Sequence, residues 1–164
     1  MLGNWLYLLK QSSVSNYREF QFGWALVILI LFFQAITTFF FVLEIGTNQL
    51  NLQSLLVFTG VSTVIIMLFY GMHTRIDSSQ LVVSFGVGLI RKQVDLTRVK
   101  SIEIVKNPWY YGWGIRLIPY GRLYNISGVN AVEIKFADTN RIVRIGTKDP
   151  HKLIGEINAR MNRS

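Results

Sequence analysis

The sequence predicts a membrane protein of mixed α and β structure, with a two-helix transmembrane hairpin followed by a β-sandwich or barrel of about seven strands and a C-terminal helix. Three observations lead to this fold. Two long stretches carry no charge, the formal net charge of +8 falls entirely after them, and short runs of alternating apolar and polar residues follow. Only 16% of the 164 residues are charged, against about 25% in an average soluble domain, so an ordinary soluble chain and a disordered chain are both excluded.

The two uncharged stretches are residues 22–43 and 52–72. A helix that crosses a bilayer needs about 20 mostly apolar residues, and only a helix satisfies the backbone of an open chain in lipid. Residues 44–51 form a short polar connection, so we expect an antiparallel hairpin with both chain ends on the same side. We expect residues 1–21, which precede the hairpin, to form an interfacial segment, either with a short helix at its start or as a frayed terminus whose apolar residues enter the lipid.

The distribution of charge predicts the orientation of this hairpin. Residues 1–72 hold two basic and two acidic residues, whereas residues 73–164 hold 15 basic and 7 acidic residues, a net charge of 15 − 7 = +8. Cytoplasmic segments beside membrane helices are enriched in Lys and Arg. We therefore expect both termini, and a domain formed by residues 73–164, to be cytoplasmic. The candidates for an aromatic belt on that side are Tyr17, Phe20, Trp24 and Tyr70.

Few polar residues lie within the predicted spans. Gln34 is near the middle of the first helix, and residues suited to helix packing lie at the same depth in the second helix: Thr59, Gly60, Ser62 and Thr63. We predict that Gln34 faces the second helix or another copy of the chain, and that Gly60 lets the two backbones approach. Neither span contains an ionisable residue, which argues against a transporter.

The part of the chain after the hairpin is predicted to be mostly β structure. The clearest runs typical of strands are residues 78–84, 89–94, 99–105, 115–118, 132–136 and 141–145. Asp149 then caps a helix whose first residue is Pro150. We expect this helix to dock on the sheet through an apolar stripe formed by Leu153, Ile154, Ile157 and Met161.

This order of strands and one final helix resembles a pleckstrin-homology (PH) fold. The segments YYGWGIRLIPYGRLYNISG (residues 110–128) and VEIKF with RIVRIGTKDP (within residues 132–150) are similar to those of bacterial PH-like domain membrane proteins. Such proteins often join a pair of membrane helices to a cytosolic PH-like domain. The resemblance covers residues 74–161. It implies a fold and a multi-pass location in the bacterial inner membrane, but no particular activity.

No enzymatic chemistry is visible in the sequence. The chain has no cysteine, which excludes thiol catalysis and cysteine-based metal sites. The two histidines, His73 and His151, belong to no cluster with metal-ligand spacing. The GVG and GWG motifs lie in turns between strands and do not lead into a helix, so they form no phosphate-binding loop. We therefore expect a non-enzymatic protein that needs no cofactor or metal.

Two features of the domain suggest a binding surface. The segment at residues 107–114 (NPWYYGWG) either completes the core or exposes aromatic side chains to lipid or a partner. Within it, Trp109 and Tyr110 are the better candidates for exposure, and Trp113 for packing. The second feature is the excess of basic residues. The candidates for a partner or lipid surface are Arg91, Lys92, Arg98, Lys100, Lys106, Arg116 and Arg122, with Arg141 and Arg144 further along the chain.

Together these features predict a membrane-tethered interaction or scaffolding protein that binds an unidentified membrane or cytosolic protein. The alternative is a sensor of anionic phospholipid, because each Lys or Arg beside an anionic leaflet contributes about 1 kcal/mol. Residues 75–80 hold one base and one acid where phosphoinositide-binding PH domains carry a basic motif, so that specificity is not expected. Nucleic acid is not expected as a partner of a membrane-tethered domain, and self-association is a third option.

Overall fold

The computed structural model of the chain describes residues 17–44 and 51–161. The chain begins with a strand, two apolar helices and a second strand: β1 (Arg18–Phe22), α1 (Trp24–Val42), α2 (Leu52–Phe69) and β2 (Gly71–Asp77). Seven further strands and a final helix follow: β3 (Gln80–Phe85), β4 (Ile90–Asp95), β5 (Val99–Lys106), β6 (Gly114–Ile118), β7 (Gly121–Asn125), β8 (Asn130–Phe136), β9 (Ile142–Gly146) and α3 (Pro150–Met161).

Helices α1 and α2 are both long and apolar enough to span a membrane, with mean hydropathies of 2.6 and 2.1. They pack side by side with most of their side chains exposed, and Ser62 is the one residue that is buried in either helix. The Gln34 side-chain amide donates a 2.8 Å hydrogen bond to the Thr59 hydroxyl, which confirms that Gln34 faces the second helix. The expectation for Gly60 is wrong, because a Cβ placed there would meet nothing within 4 Å.

The helix boundaries differ from those predicted. Helix α1 starts at Trp24, two residues after the predicted start, and α2 ends at Phe69, three residues before the predicted end. The reason is that the flanking residues belong to a β ladder, in which Phe22 pairs with Gly71. Residues 1–16 of the predicted interfacial segment and residues 45–50 of the predicted connection lie outside the described residues.

The strands form two sheets. The first is antiparallel with the order β1-β2-β3-β4, and the second has the order β5-β8-β9-β7-β6, in which only the β7–β9 pair is parallel. The two sheets and α3 share one core. Its buried side chains include Met72, Ile76 and Phe85 from the first sheet, Tyr124, Ile134 and Ile145 from the second, and Leu153 and Ile157 from α3.

The described residues contain nine strands, not about seven. The predictions missed β1, β2 and β7, because β1 and β2 directly adjoin apolar helices and the β7 sequence GRLYN does not alternate. The helix at Pro150 is confirmed: the Lys152 N–H donates to the Asp149 carboxylate at 3.0 Å. Its stripe also docks as expected, with Leu153 and Ile157 fully buried.

Strand β1 makes the helical pair an insertion within the domain. The predicted boundary at residue 73 therefore omits one strand that precedes the helices and part of another that follows them. The Gln21 amide donates to the Gly146 carbonyl at 2.8 Å and so links β1 to the second sheet. Tyr17, a predicted belt residue, is instead buried in the core of the domain.

Candidate binding surfaces

One end of the domain, which we call the proximal end, carries the junctions with α1 and α2. Only Gly23 separates β1 from α1, only Tyr70 separates α2 from β2, and the Gly23 N–H donates to the Tyr70 carbonyl at 2.8 Å. The turn between β3 and β4 packs on the end of α2, where the Val87 N–H donates to the Met67 carbonyl at 3.1 Å. The domain is thus joined to the helices by short, hydrogen-bonded connections.

The aromatic loop at residues 107–114 starts close to the proximal end, and its Tyr111 lines a cavity on the second sheet that also includes Tyr120. Its Asn107 N–H donates to the Val129 carbonyl at 2.7 Å, in the turn between β7 and β8. In the same turn, Ile126 packs against Gly23, since a Cβ on Gly23 would lie 3.0 Å from the Ile126 Cγ1 atom. Hydrogen bonds and packing therefore connect the aromatic loop to the start of α1 through a single turn.

The side chains of this loop are mostly exposed. Trp109 is 85% exposed and Tyr110 is 68% exposed, so both were correctly chosen as the better candidates for exposure. Trp113 is 40% exposed, and the expectation that it packs in the core is wrong. The reason is that it leads into β6, an edge strand whose three middle residues are all exposed.

The opposite end of the domain, which we call the distal end, holds an open groove of about 710 Å³. It lies between the last residues of β4, the turn between β6 and β7, and the turn between β8 and β9. Its charged side chains are Lys92, Asp95, Arg98, Arg122 and Arg141. Strand β4 is the edge of the first sheet, and β6 is the edge of the second. The groove therefore lies beside two strand edges that have no neighbouring strand in the described chain.

The groove keeps an excess of positive charge. Arg98 forms an ion pair with Asp138, which offsets its charge. Hydrogen bonds from Thr97 lower the pKa of the Asp95 carboxyl below its ordinary value, so that carboxylate is ionised. The other three cations, on Lys92, Arg122 and Arg141, form no salt bridge with any described residue.

An aromatic side chain stands at the rim of this groove. Tyr120 is 79% exposed and has a positive φ of 65°, a backbone conformation that costs free energy in residues other than glycine. The neighbouring Leu117 is also exposed and lines the groove. An exposed aromatic ring among unpaired cations can contact both the apolar and the charged parts of a ligand.

The predicted basic candidates do not form one surface. Lys92, Arg98 and Arg122 line the distal groove, whereas Arg91 lies on the outer face of the first sheet. The others lie on edge strands of the second sheet: Lys100 and Lys106 on β5, and Arg116 on β6. The Arg116 side chain makes a local hydrogen bond, in which its Nε donates to the Trp113 carbonyl at 3.1 Å.

Several carboxylates of the domain form salt bridges with basic residues of the same domain. Lys135 contacts Glu103 at 2.6 Å and Glu133 at 3.8 Å, and so separates two acidic residues that are directly opposite in the ladder. Arg144 contacts Glu133 at 2.6 Å, which removes Arg144 from the candidates for ligand binding. The basic residues that line the distal groove are therefore better candidates than those in the centre of the second sheet.

The sequence missed two arginines, Arg18 and Arg75, which lie directly opposite each other on β1 and β2. Their proximity depends on a ladder between residues on either side of the helical pair. Within residues 17–44 and 51–161 there is no group of three or more His, Asp or Glu residues that could hold a metal ion. Comparisons of the chain with protein-family models, curated proteins and solved structures find no match.

Proposed function

We propose that this chain is a non-enzymatic, membrane-tethered interaction protein of the bacterial inner membrane. In this proposal α1 and α2 cross the membrane, and a PH-like domain and both termini lie in the cytoplasm. The length and hydropathy of the two helices support the membrane location. The excess of Lys and Arg after residue 72 supports the orientation, and the order of strands followed by α3 supports the resemblance to a PH fold.

The short connections determine what the tether does. Because single residues join β1 to α1 and α2 to β2, the proximal end rests on the membrane surface. The distal groove then opens toward the cytoplasm, where a soluble protein or the cytosolic part of a membrane protein can reach it. The hairpin therefore has two effects in this proposal: it concentrates the domain at the membrane, and it orients the groove.

The groove itself carries the proposal of a protein partner. Three unpaired cations beside the free edge of β4 suit an extended acidic segment, whose backbone pairs with β4 and whose carboxylates contact Lys92, Arg122 and Arg141. The exposed ring of Tyr120 supplies an aromatic contact of the kind that often contributes most to binding. Such recognition requires no catalysis and no cofactor.

Site-specific photo-crosslinking in living cells tests this proposal. A photoreactive phenylalanine analogue in place of Tyr120 is expected to give one discrete adduct with a second protein. The same analogue in place of Lys152, which is exposed on the first turns of α3 and outside the groove, serves as the control and is expected to give none. The double substitution Arg122→Glu and Arg141→Glu is expected to abolish the Tyr120 adduct, because it reverses the charge of the groove.

Each other outcome has a defined meaning. An adduct with a second copy of the chain would replace the acidic partner with self-association. An adduct that survives the double charge reversal would contradict the acidic ligand. If the Tyr120 position gives no adduct while the protein is present at normal levels in the membrane, the groove is not an interaction site.

Anionic lipid is the second candidate ligand, and the exposed aromatic loop supports it. Trp and Tyr are enriched at membrane–water interfaces, and Trp109 and Tyr110 are exposed in a loop that begins at Asn107, which bonds to the β7–β8 turn packed against Gly23. Fluorescence quenching by lipids brominated near the headgroup tests their depth. A full-length protein with Trp109 as its only tryptophan is expected to be strongly quenched in such vesicles. A protein whose only tryptophan replaces the distal Tyr120 is expected to be unaffected, and equal quenching would contradict the proposed orientation.

A further inference from the structure

A depression of about 530 Å³ lies on the outer face of the first sheet, at the proximal end. Two arginines, a histidine and two aromatic residues are among those that line it: Arg18, Phe20, Tyr70, His73 and Arg75. On the side toward α2, the depression is closed by the β3–β4 turn, through Gly86, Val87 and Gly88. This depression is separate from the distal groove, and none of its arginines was a candidate in the sequence.

Its charge is concentrated by the strand register. Arg18 and Arg75 occupy directly opposite positions of the β1–β2 ladder, where side chains of like charge repel each other. Arg91 lies on the same face and belongs to the next row, because it pairs with Ser84, which pairs with His73. None of the three arginines forms a salt bridge with any residue of the described segments.

The acidic residues nearby do not offset this charge. Glu19 lines part of the depression, but it pairs with the buried Thr74, so its side chain lies on the other face of the ladder from Arg18 and Arg75. Its carboxylate accepts hydrogen bonds from Tyr17, Thr147 and the Lys148 backbone and forms no salt bridge with either arginine. Asp77 lies on the exposed face of β2, but it is two residues beyond Arg75 and thus further from the helices. The depression therefore keeps an unpaired positive charge that a bound anion would neutralise.

Aromatic side chains lie between these cations and the helices. The ring centroid of Phe20 lies 4.5 Å from that of His73 and 6.3 Å from that of Tyr70. The ring centroid of Phe22 lies 4.5 Å from that of Trp24. A strand rises by about 3.3 Å per residue, which places the row of His73 about 7 Å and the row of Arg75 about 13 Å beyond Gly71. The polar region of one leaflet is about 5–7 Å thick, and arginine side chains are long enough to extend toward it.

We propose that this depression binds the phosphate group of one anionic phospholipid molecule. Arg18 and Arg75 contact the phosphate oxygens through their planar guanidinium groups, and Arg91 adds charge from the next row. The acyl chains of this lipid lie along α2 beside the aromatic residues. The site deepens the lipid-binding candidate by naming the residues that select the headgroup, and it rests on the proposed membrane insertion of α1 and α2.

Lipid binding by the full-length protein in a mild detergent tests the site. The probes are short-chain phosphatidylglycerol and phosphatidylcholine, and native mass spectrometry counts the molecules that stay bound. The unmodified protein is expected to retain one phosphatidylglycerol in preference to phosphatidylcholine. With Arg18→Gln and Arg75→Gln together, the affinity for phosphatidylglycerol is expected to fall about 25-fold, at about fivefold for each arginine.

The matched control removes the same charge elsewhere, with Arg122→Gln and Arg141→Gln in the distal groove. This control is expected to keep the affinity for phosphatidylglycerol. An equal loss in both double variants would mean that net charge alone attracts the lipid, and an equal retention of the two lipids would mean that the site does not select anionic lipid. Displacement of the lipid by inorganic phosphate at the same concentration would assign the site to a soluble anion.

A stability measurement separates binding from folding. Because Arg18 and Arg75 repel each other, Arg75→Thr is expected to leave the lipid-free protein at least as stable as the unmodified protein while it weakens lipid binding. A loss of both stability and binding would contradict the site and indicate a structural arginine. Extraction of the protein from membranes by alkaline carbonate would instead contradict the proposed membrane insertion, so the two failures can be told apart.

Discussion

Glu19 illustrates how single side chains hold β1 in the domain. Its carboxylate accepts hydrogen bonds from the Tyr17 hydroxyl at 2.5 Å, the Thr147 hydroxyl at 2.7 Å and the Lys148 N–H at 2.7 Å. Burial and this neighbouring carboxylate raise the pKa of the Tyr17 phenol above its ordinary value, so the hydroxyl stays protonated as a donor. These bonds tie β1 to the segment between β9 and α3.

Replacing Glu19 with Ala should therefore destabilise the domain. The substitution leaves three donors without their acceptor, and two of them belong to the buried Tyr17 and Thr147. We expect the free energy of unfolding to fall by about 2–4 kcal/mol, measured by denaturant titration of the purified protein in mild detergent. Glu103→Ala, which removes an exposed carboxylate from β5, is the control and should change little. Equal effects of the two substitutions would contradict this role of Glu19.

The partners of Glu19 could not be found from the sequence, because Thr147 and Lys148 are 128 and 129 residues away. For the same reason, the sequence did not show that Arg18 and Arg75 lie opposite each other in the β1–β2 ladder. In contrast, the cap formed by Asp149 and the contact between Gln34 and Thr59 were predictable, since the first is local and the second follows from the depth of each residue in a hairpin. Sequence patterns thus identified single residues where geometry within one element or one hairpin determines the contact.

Among the elements, the β3–β4 turn has the clearest mechanical role. The Gly86 N–H donates to the Gly71 carbonyl at 2.8 Å, next to the hydrogen bond between Val87 and Met67. Gly86 has a φ of 49°, and a Cβ at this position would overlap the backbone of Met67 and Leu68. Only glycine lets the turn approach the end of α2 this closely. The contact holds the first sheet against the helix.

Two glycines of this turn provide a matched test. Gly88 also has a positive φ, of 88°, but a Cβ there would meet nothing within 4 Å. Both Gly86→Ala and Gly88→Ala should show the cost of a left-handed conformation, whereas only Gly86→Ala should also disturb the docking on α2. We expect Gly86→Ala to be the more destabilising by about 1–3 kcal/mol in thermal or denaturant unfolding. Similar losses for the two variants would show that the contact with α2 contributes little.

The elements also show where sequence patterns fail. The two apolar helices and α3 were predicted because their signals, an uncharged stretch and an amphipathic stripe, are contained within each element. Strands β1 and β2 were missed because their pairing partners lie on either side of the helices and their sequences merge with the apolar stretches. The distal groove was also missed, since the end of β4 and two separate turns bring its residues together.

At the scale of the whole molecule, basic and exposed aromatic side chains form a surface at each end of the domain. Exposed aromatic rings and unpaired arginines lie at the proximal end, and an unpaired basic groove lies at the distal end. The acidic residues of the second sheet are paired internally between them. In the function proposed above, one end faces a membrane surface and the other an acidic protein segment, so a single domain would bind both at once.

The insertion of the helices between adjacent strands leads to a last prediction, about which part of the chain folds alone. A fragment of residues 74–164 lacks β1 and Met72, which is fully buried, and should not fold. If residues 24–69 are instead replaced by Asn-Gly, the chain keeps β1 and the whole of β2. The ends to be joined are already neighbours, because Phe22 pairs with Gly71 and Gly23 bonds to Tyr70, and Asn-Gly suits such a tight turn.

We expect the shortened protein to be a soluble, folded monomer with a cooperative thermal transition and dispersed amide resonances. Its affinity for vesicles of anionic lipid should be weak and lost at high salt, because the shortened chain lacks the proposed membrane tether. Its distal groove should still be accessible to an acidic segment, so photo-crosslinking from Tyr120 should survive at high protein concentration. If the fragment of residues 74–164 folds equally well, β1 is dispensable, and the helices would then be an N-terminal anchor that precedes an independent domain.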